Sequence, residues 1–221
     1  PHGGGGPGAG PVVLSDALAP FAPLPYVVKD GDKLRLVEDE AASDADPFGR
    51  MVAFHGQMGM FVRALSYMMS HGSDGLRQVA EDAVLNANYV LASLKDVMSA
   101  SFEGPCMHEA LFDDRFLKGT GVETLDFAKA MIDEGYHPMT VYFPLVVHGA
   151  MLIEPTETES KSTLDVFIGC LRELTRAAKA GETERFTNAP ELTPRRRLDE
   201  TAAARKPILR WTPPAPAQAA E

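Results

Sequence analysis

With 221 residues, 45% of them hydrophobic, the chain can bury one large or two small cores, and general disorder is excluded. A net charge of −10 argues against nucleic acid or an anionic membrane as the main partner, because both demand a basic face. The only cysteines, Cys106 and Cys170, fit neither a metal-ligand spacing nor a disulfide framework, no apolar run reaches the length of a membrane span, and nothing resembles a signal peptide, so a reducing cytoplasm is expected.

The chain opens Pro1-His2-Gly3-Gly4-Gly5-Gly6-Pro7-Gly8-Ala9-Gly10, without an initiator Met, and reads as the second part of a longer protein. Glycines without Cβ let backbone N–H groups approach an anion or a flat ring. The run lacks the Lys and hydroxyl of a phosphate-binding loop, and Pro7 and Pro11 break the helix that a dinucleotide fingerprint needs. A flexible linker and a ligand-lining wall both remain open at this point. Residues 12–14 are a short strand candidate, and Pro11, Pro20, Pro23 and Pro25 exclude a helix there. Residues 26–29 and 33–37 flank Asp30-Gly31-Asp32, which predicts a hairpin. Residues 38–49 are acidic and small and predict a solvated connection.

A helix is predicted over 57–71, where Met58, Phe61, Val62, Leu65, Met68 and Met69 recur at helical spacing and Gly72 can end it. The methionine stripe reads as core filler. A second helix is predicted over 74–98 with Ser73 as its N-cap. Leu76, Val79, Ala83, Val84, Ala87, Val90, Leu91, Leu94 and Val97 form its apolar stripe. Two such helices can join one domain to the next.

From Cys106 strand and helix alternate. Residues 107–112 are a strand candidate. Thr120 and Glu123 have capping-box spacing, opening a helix that presents Leu125, Ala128, Met131 and Ile132 and stops at Gly135. Residues 140–143 and 150–153 are further strands. Thr156 and Glu159 form a second capping-box spacing, before a helix carrying Leu164, Phe167, Ile168, Leu171 and Leu174 and ended by Gly181. This order predicts a small α/β sandwich with a mostly antiparallel sheet. Beyond 182 the chain is proline-rich and charged. Its one apolar segment, Lys206-Pro207-Ile208-Leu209-Arg210-Trp211, is expected to dock back on the body, and 212–221 to be disordered. Arg195, Arg196 and Arg197 precede Asp199 and Glu200, which predicts a local ion-pair cluster.

The histidines are His2, His55, His71, His108, His137 and His148. No two stand at i, i+4 on a helix, so no metal site is predicted. His108, beside Glu109 on a predicted strand, and His2, in the glycine run, are the best candidates for chemistry. The acidic stretch from Glu154 to Ser160 reads as a helix N-terminus rich in caps and acids, which suits the helix dipole.

Taken together, these segments resemble one family. The opening glycine run is similar to the stretch that follows the cofactor lysine in the glycine-decarboxylating P-proteins of the glycine cleavage system. Phe54-His55-Gly56-Gln57-Met58-Gly59, Val62-Arg63-Ala64, Ala83-Val84-Leu85-Asn86-Ala87-Asn88-Tyr89 and Met107-His108-Glu109 are similar to motifs of that family. So are Gly135-Tyr136-His137-Pro138, Phe143-Pro144-Leu145 and the stretch from Ile153 to Lys161. Thr193 to Glu200 and Ala204 to Pro207 resemble the second subunit of the two-subunit bacterial form. The resemblance runs in order over nearly the whole chain. It departs at Gln57, where Asn is expected, and at Ala110-Leu111, where Phe-Val or Phe-Ile is usual.

The resemblance implies an α/β chain, the C-terminal part of a fold type I pyridoxal-phosphate enzyme of the aminotransferase-like kind. Residues 1–50 would end the large cofactor domain and 51–100 would be bridging helices. Residues 101–182 would form a small C-terminal α/β domain, and 183–221 an extended tail. The implied activity is that of glycine dehydrogenase (aminomethyl-transferring): pyridoxal phosphate serves as electron sink while glycine loses carbon dioxide, and the aminomethyl group passes to the lipoyl arm of H-protein. Implied partners are glycine dehydrogenase subunit 1 in a heterotetramer, lipoylated H-protein and glycine, in a bacterial cytoplasm, with neither nucleic acid nor membrane. His2, Gly3, Gly4, Gly5 and Gly6 would line the cofactor wall, His55 and Gly56 would meet the phosphate of a neighbouring site, and His108 and Glu109 would face the substrate side. No catalytic residue is assigned, because the family's cofactor lysine lies in a His-Lys-Thr motif upstream of the glycine run, and this sequence contains no His-Lys-Thr. Two other readings stay open. One is a catalytically inert assembly fragment that pairs with the first subunit. The other is a phosphate-binding protein built on the glycine run, against which the missing Lys-Ser/Thr counts.

Overall fold

The computed structural model describes residues 10, 12–39, 43, 45–51 and 57–213. The expected cofactor-side residues His2, Gly3, Gly4, Gly5, Gly6, His55 and Gly56 lie outside the described residues. The chain divides into two compact units, Pro1–Leu76 and Arg77–Glu221.

In the first unit the predicted hairpin is present. Strands β1 (Tyr26–Asp30) and β2 (Lys33–Val37) pair antiparallel, with Asp30 opposite Lys33. Buried Leu24 anchors the following connection: its N–H donates to the Gly49 carbonyl (2.8 Å), and its own carbonyl accepts from the Met51 N–H (2.7 Å). Residues 12–14 are not a strand, contrary to expectation. β-branched residues favour a ladder but do not supply a partner, and Val12 and Val13 are exposed.

Helix α1 (Met58–Leu94) is interrupted at Gly72 (φ 69°, ψ −178°), so two helical stretches meet at the predicted break. The first stretch corrects the core-filler expectation. Met58, Phe61, Val62, Leu65, Met68 and Met69 are all exposed. Periodicity identifies an apolar face without saying what covers it. The second stretch buries Ala87, Val90 and Leu94 and stops four residues short of 98. Basic side chains from a later helix take the carbonyls at its end: Arg172 donates to Ser93 (2.8 Å) and Lys179 to Val97 (2.9 Å).

The second unit is α/β. Strands β3 (Ser99–Ala100), β4 (Ala110–Asp113), β5 (Thr140–Val141) and β6 (Met151–Ile153) form one antiparallel sheet in the order β3-β4-β6-β5. The two-residue β3 is too short to show alternation in sequence. Strand β4 starts three residues later than predicted, leaving His108 and Glu109 in the loop before it. Helices α2 (Thr124–Asp133) and α3 (Lys161–Lys179) contribute Phe127, Met131, Leu171 and Leu174 to a core completed by Phe112, Met151 and Leu94. At about 25 cal/mol per Å² of apolar surface removed from water, such side chains dominate the stability of the unit.

Both predicted capping boxes are displaced. The N-cap of α2 is Glu123, whose N–H donates to Asp126 three residues on (3.0 Å). Thr120 instead closes the preceding turn, donating to Leu117 (2.7 Å) and accepting from Val122 (3.1 Å). The N-cap of α3 is Ser160, which accepts from the Thr163 N–H (3.2 Å), while Thr156 accepts from Thr158 (3.4 Å) in the turn before. The predicted stops hold. Gly135 and Gly181 take left-handed φ of 86° and 88°, and the next N–H reaches back to Met131 and Ala177 in each case.

The region after 182 is not simply extended. Helix α4 (Thr183–Thr187) buries Phe186 in stacked contact with Phe127 (6.1 Å), and α5 (Glu200–Arg205) follows. Arg197 donates to the Ala189 and Phe186 carbonyls (2.7 and 2.9 Å) and pairs with Asp126 (2.8 Å), while Arg196 pairs with Glu191 (2.9 Å). Arg197 thus finds a tertiary partner in Asp126 and Arg196 a local one in Glu191, rather than Asp199 and Glu200, and Asp199 N-caps α5 through Ala202 (2.8 Å). The expected docking of 206–211 is absent: Ile208, Leu209 and Trp211 are 92%, 91% and 79% exposed. Residues 214–221 lie outside the described residues.

Candidate active site

The register of the two central strands builds this site. Ala110 of β4 stands opposite Ile153 of β6. Just past the end of this ladder the chain carries Glu109, before Ala110, and Glu154, after Ile153. His108, next along the incoming loop, brings its Nε2 to 3.8 Å from Glu109 Oε1 and 4.0 Å from Glu154 Oε1. The three side chains are 55%, 37% and 57% exposed, so water reaches them. An imidazole flanked by two carboxylates at such distances can hold a proton and hand it on.

The sequence singled out His108 and Glu109, and the structure brings these two together. Glu154, which the sequence presents only as part of an acidic helix start, joins them because β6 ends at Ile153, directly before it, opposite the start of β4 at Ala110. His108, Glu109 and Glu154 also present ligand atoms within 4.8 Å of one another. Helical i, i+4 spacing could not reveal such a grouping. Glu109 is half-buried and the other two exposed, and exposed acids cluster in this way without an ion.

Beside the cluster lies a groove of about 420 Å³, lined by Leu91, Cys106, Glu109, Leu111, Phe143 and Leu152 among others. Phe143 belongs to a loop that begins at Tyr142, held at φ 59° by two bonds. Its N–H donates to Ala150 (2.8 Å), and its hydroxyl accepts from the Leu125 N–H (3.3 Å). Such a backbone persists in a bulky residue only where its surroundings enforce it. Burial pushes the Cys106 thiol above its usual range, which keeps it neutral and a poor nucleophile at neutral pH.

Two side-chain amides of α1 fix the loops that carry the cluster. Asn86 donates to the carbonyls of Thr156 (2.9 Å) and Glu159 (3.2 Å), behind Glu154. Asn88 donates to the Cys106 carbonyl (2.7 Å) and accepts from the Cys106 N–H (3.0 Å), just ahead of His108. Tyr89 bonds Asp165 of α3, which Lys161 also holds (2.7 Å).

The cluster does not suit a pyridoxal phosphate phosphoryl group, since two carboxylates would repel a dianion. Among the described residues, then, the cluster is not a phosphate cradle.

Comparison with known proteins agrees with this architecture. The family described as "Glycine dehydrogenase, C-terminal domain" matches residues 79–194. The chain belongs to the glycine dehydrogenase C-terminal domain family. It is 73% identical over 98% of its length to the probable glycine dehydrogenase (decarboxylating) subunit 2 of Caulobacter vibrioides, and 48% identical over 96% to that of Staphylococcus haemolyticus. In both cases it spans 42% of the relative's own length. A solved glycine decarboxylase (P-protein) of the glycine cleavage system, in inhibitor-bound form, superimposes with a TM-score of 0.56 at 17% identity, covering 72% of this chain and 37% of that one. Over that part the chain has the fold of a glycine decarboxylase. Among the described residues no helix is long and apolar enough to cross a membrane.

Proposed function

We infer that this chain supplies the C-terminal, substrate-side part of a pyridoxal-phosphate-dependent glycine dehydrogenase (decarboxylating) of the glycine cleavage system. One observation carries the reading. In a chain of this family, strand and loop geometry bring ligand atoms of His108, Glu109 and Glu154 within 4.8 Å of one another beside a largely apolar groove. When bound, pyridoxal phosphate supplies the electron sink that lets a carboxylate leave as carbon dioxide. We assign His108, flanked by Glu109 and Glu154, to proton transfer with the substrate. The neighbouring groove, whose lining includes Leu91, Leu111, Phe143 and Leu152, offers a largely apolar wall to a slender arm. We assign that arm to the lipoyl group of H-protein, which takes the aminomethyl group.

His2, Gly3, Gly4, Gly5 and Gly6 are assigned to the cofactor wall, and His55 and Gly56 to the cofactor phosphate. No lysine of this sequence is assigned the covalent role, since none stands in a His-Lys-Thr motif. The relatives' designation as subunit 2 supports a first subunit as partner. A bacterial cytoplasm is the compartment that fits.

A chimera tests the reading. This chain replaces the matching region of the Caulobacter vibrioides relative, and the product is assembled with the first subunit and lipoylated H-protein. Glycine-dependent exchange of labelled bicarbonate within about tenfold of the parent supports it. A chimera that assembles yet exchanges nothing identifies the chain as an inert assembly fragment.

A further inference from the structure

The motif Asn86-Ala87-Asn88-Tyr89 has no place in the chemistry above, yet its side chains meet the loops that carry that chemistry. Asn88 uses both of its amide donors and its carbonyl oxygen in a fixed pattern. One amide hydrogen goes to the Val84 carbonyl one turn back in its own helix (2.8 Å), which locks the rotamer. The other goes to the Cys106 carbonyl (2.7 Å), and Oδ1 takes the Cys106 N–H (3.0 Å). The amide therefore pairs with Cys106 as a neighbouring strand would. Asp lacks the donors, Ala lacks everything, and Gln is one carbon too long to keep both bonds in register.

Cys106 lies midway along the connection between β3 and β4, residues 101–109. Two residues separate it from Glu109, and Ala110 then enters the sheet opposite Ile153. A segment pinned at Cys106 and again at Ala110 leaves little freedom for the three residues between. On the other flank Asn86 secures the turn behind Glu154.

We propose that Asn88 is a positioning residue for the reaction, acting through Cys106 to hold His108 and Glu109 against Glu154. This rests on the reading of His108 and Glu109 given above. The clamp itself can be observed without any activity measurement, because Cys106 and Cys170 report from different places. Cys106 sits in the clamp, whereas Cys170 sits on α3 with its thiol pushed up by burial to about 11.

The experiment uses the chimeric holoenzyme with peptide-resolved alkylation rates and steady-state kinetics. Asn88→Ala is expected to speed Cys106 alkylation by about tenfold while Cys170 stays unchanged, and to lower kcat for glycine decarboxylation by about tenfold or more. It is expected to add little when Glu109→Gln is already present, because the two act as one unit. Asn88→Asp, which keeps the acceptor for the Cys106 N–H, should fall between wild type and Asn88→Ala, and it stands in should Asn88→Ala fail to fold. Unchanged Cys106 alkylation overturns the clamp. Full additivity with Glu109→Gln overturns the positioning role. A fully active Glu109→Gln enzyme overturns that role through the functional reading, and the alkylation rates then show separately whether the clamp stands.

Discussion

At Gly149 the backbone leaves no room for a side chain. An added Cβ would stand 2.2 Å from Asp114 Cγ, and φ is 58°, a conformation that costs an L residue energy whatever the space. The close approach has a purpose. The Gly149 carbonyl accepts from buried Thr124 Oγ1 (3.0 Å), and Asp114 bonds His148 Nδ1 (2.9 Å), so the start of α2 and the loop bearing Phe143 are tied at one point. Gly149→Ala is expected to destabilise the chain by about 2–4 kcal/mol, read as a lower urea midpoint at unchanged slope. A loss of under about 0.5 kcal/mol would contradict the close-approach account. None of this is legible in sequence, where Gly149 is one glycine after a histidine.

Helices α2, α3 and α4 meet at Arg185, which forks onto Glu173 (2.8 and 2.9 Å) and reaches Glu134 (2.8 Å). The Arg185 hydrogen bond holds the Glu173 carboxyl below its ordinary 4.5, with burial opposing. A carboxylate depressed on folding stabilises fully above its ordinary value, and that stability is lost as pH falls through the depressed one. Glu173→Gln should therefore be less stable than wild type near neutral pH, with the gap closing well below pH 4.5. Both side chains are partly solvated, so the gap is modest. A gap of equal size at pH 7 and in strong acid would contradict the pairing. Element by element, local rules succeeded where the cause was local: the Asp30-Gly31-Asp32 turn, the glycine stops at 135 and 181, and the α3 stripe. They failed where the cause was tertiary. Arg197 finds Asp126 from far along the chain, and the capping boxes moved because Thr120 and Thr156 serve turns before their helices.

At the scale of the molecule, each of the two units carries a different part of the account. The first carries a methionine-rich helical face that is exposed, and the second carries the core and the candidate site. The chain spans 42% of the length of its curated relatives. The sequence motifs point to His108 and Glu109, and Glu154 joins them only through the tertiary pairing of β4 with β6, which ends at Ala110 and Ile153. Substrate-side proton handling by this cluster is the central claim. Its most direct test is the rate of glycine decarboxylation by the chimeric holoenzyme carrying Glu109→Gln or His108→Asn, with bound pyridoxal phosphate quantified in each. The account predicts a fall of about 10²-fold or more in kcat with the cofactor retained. Unchanged kcat in both variants would contradict it.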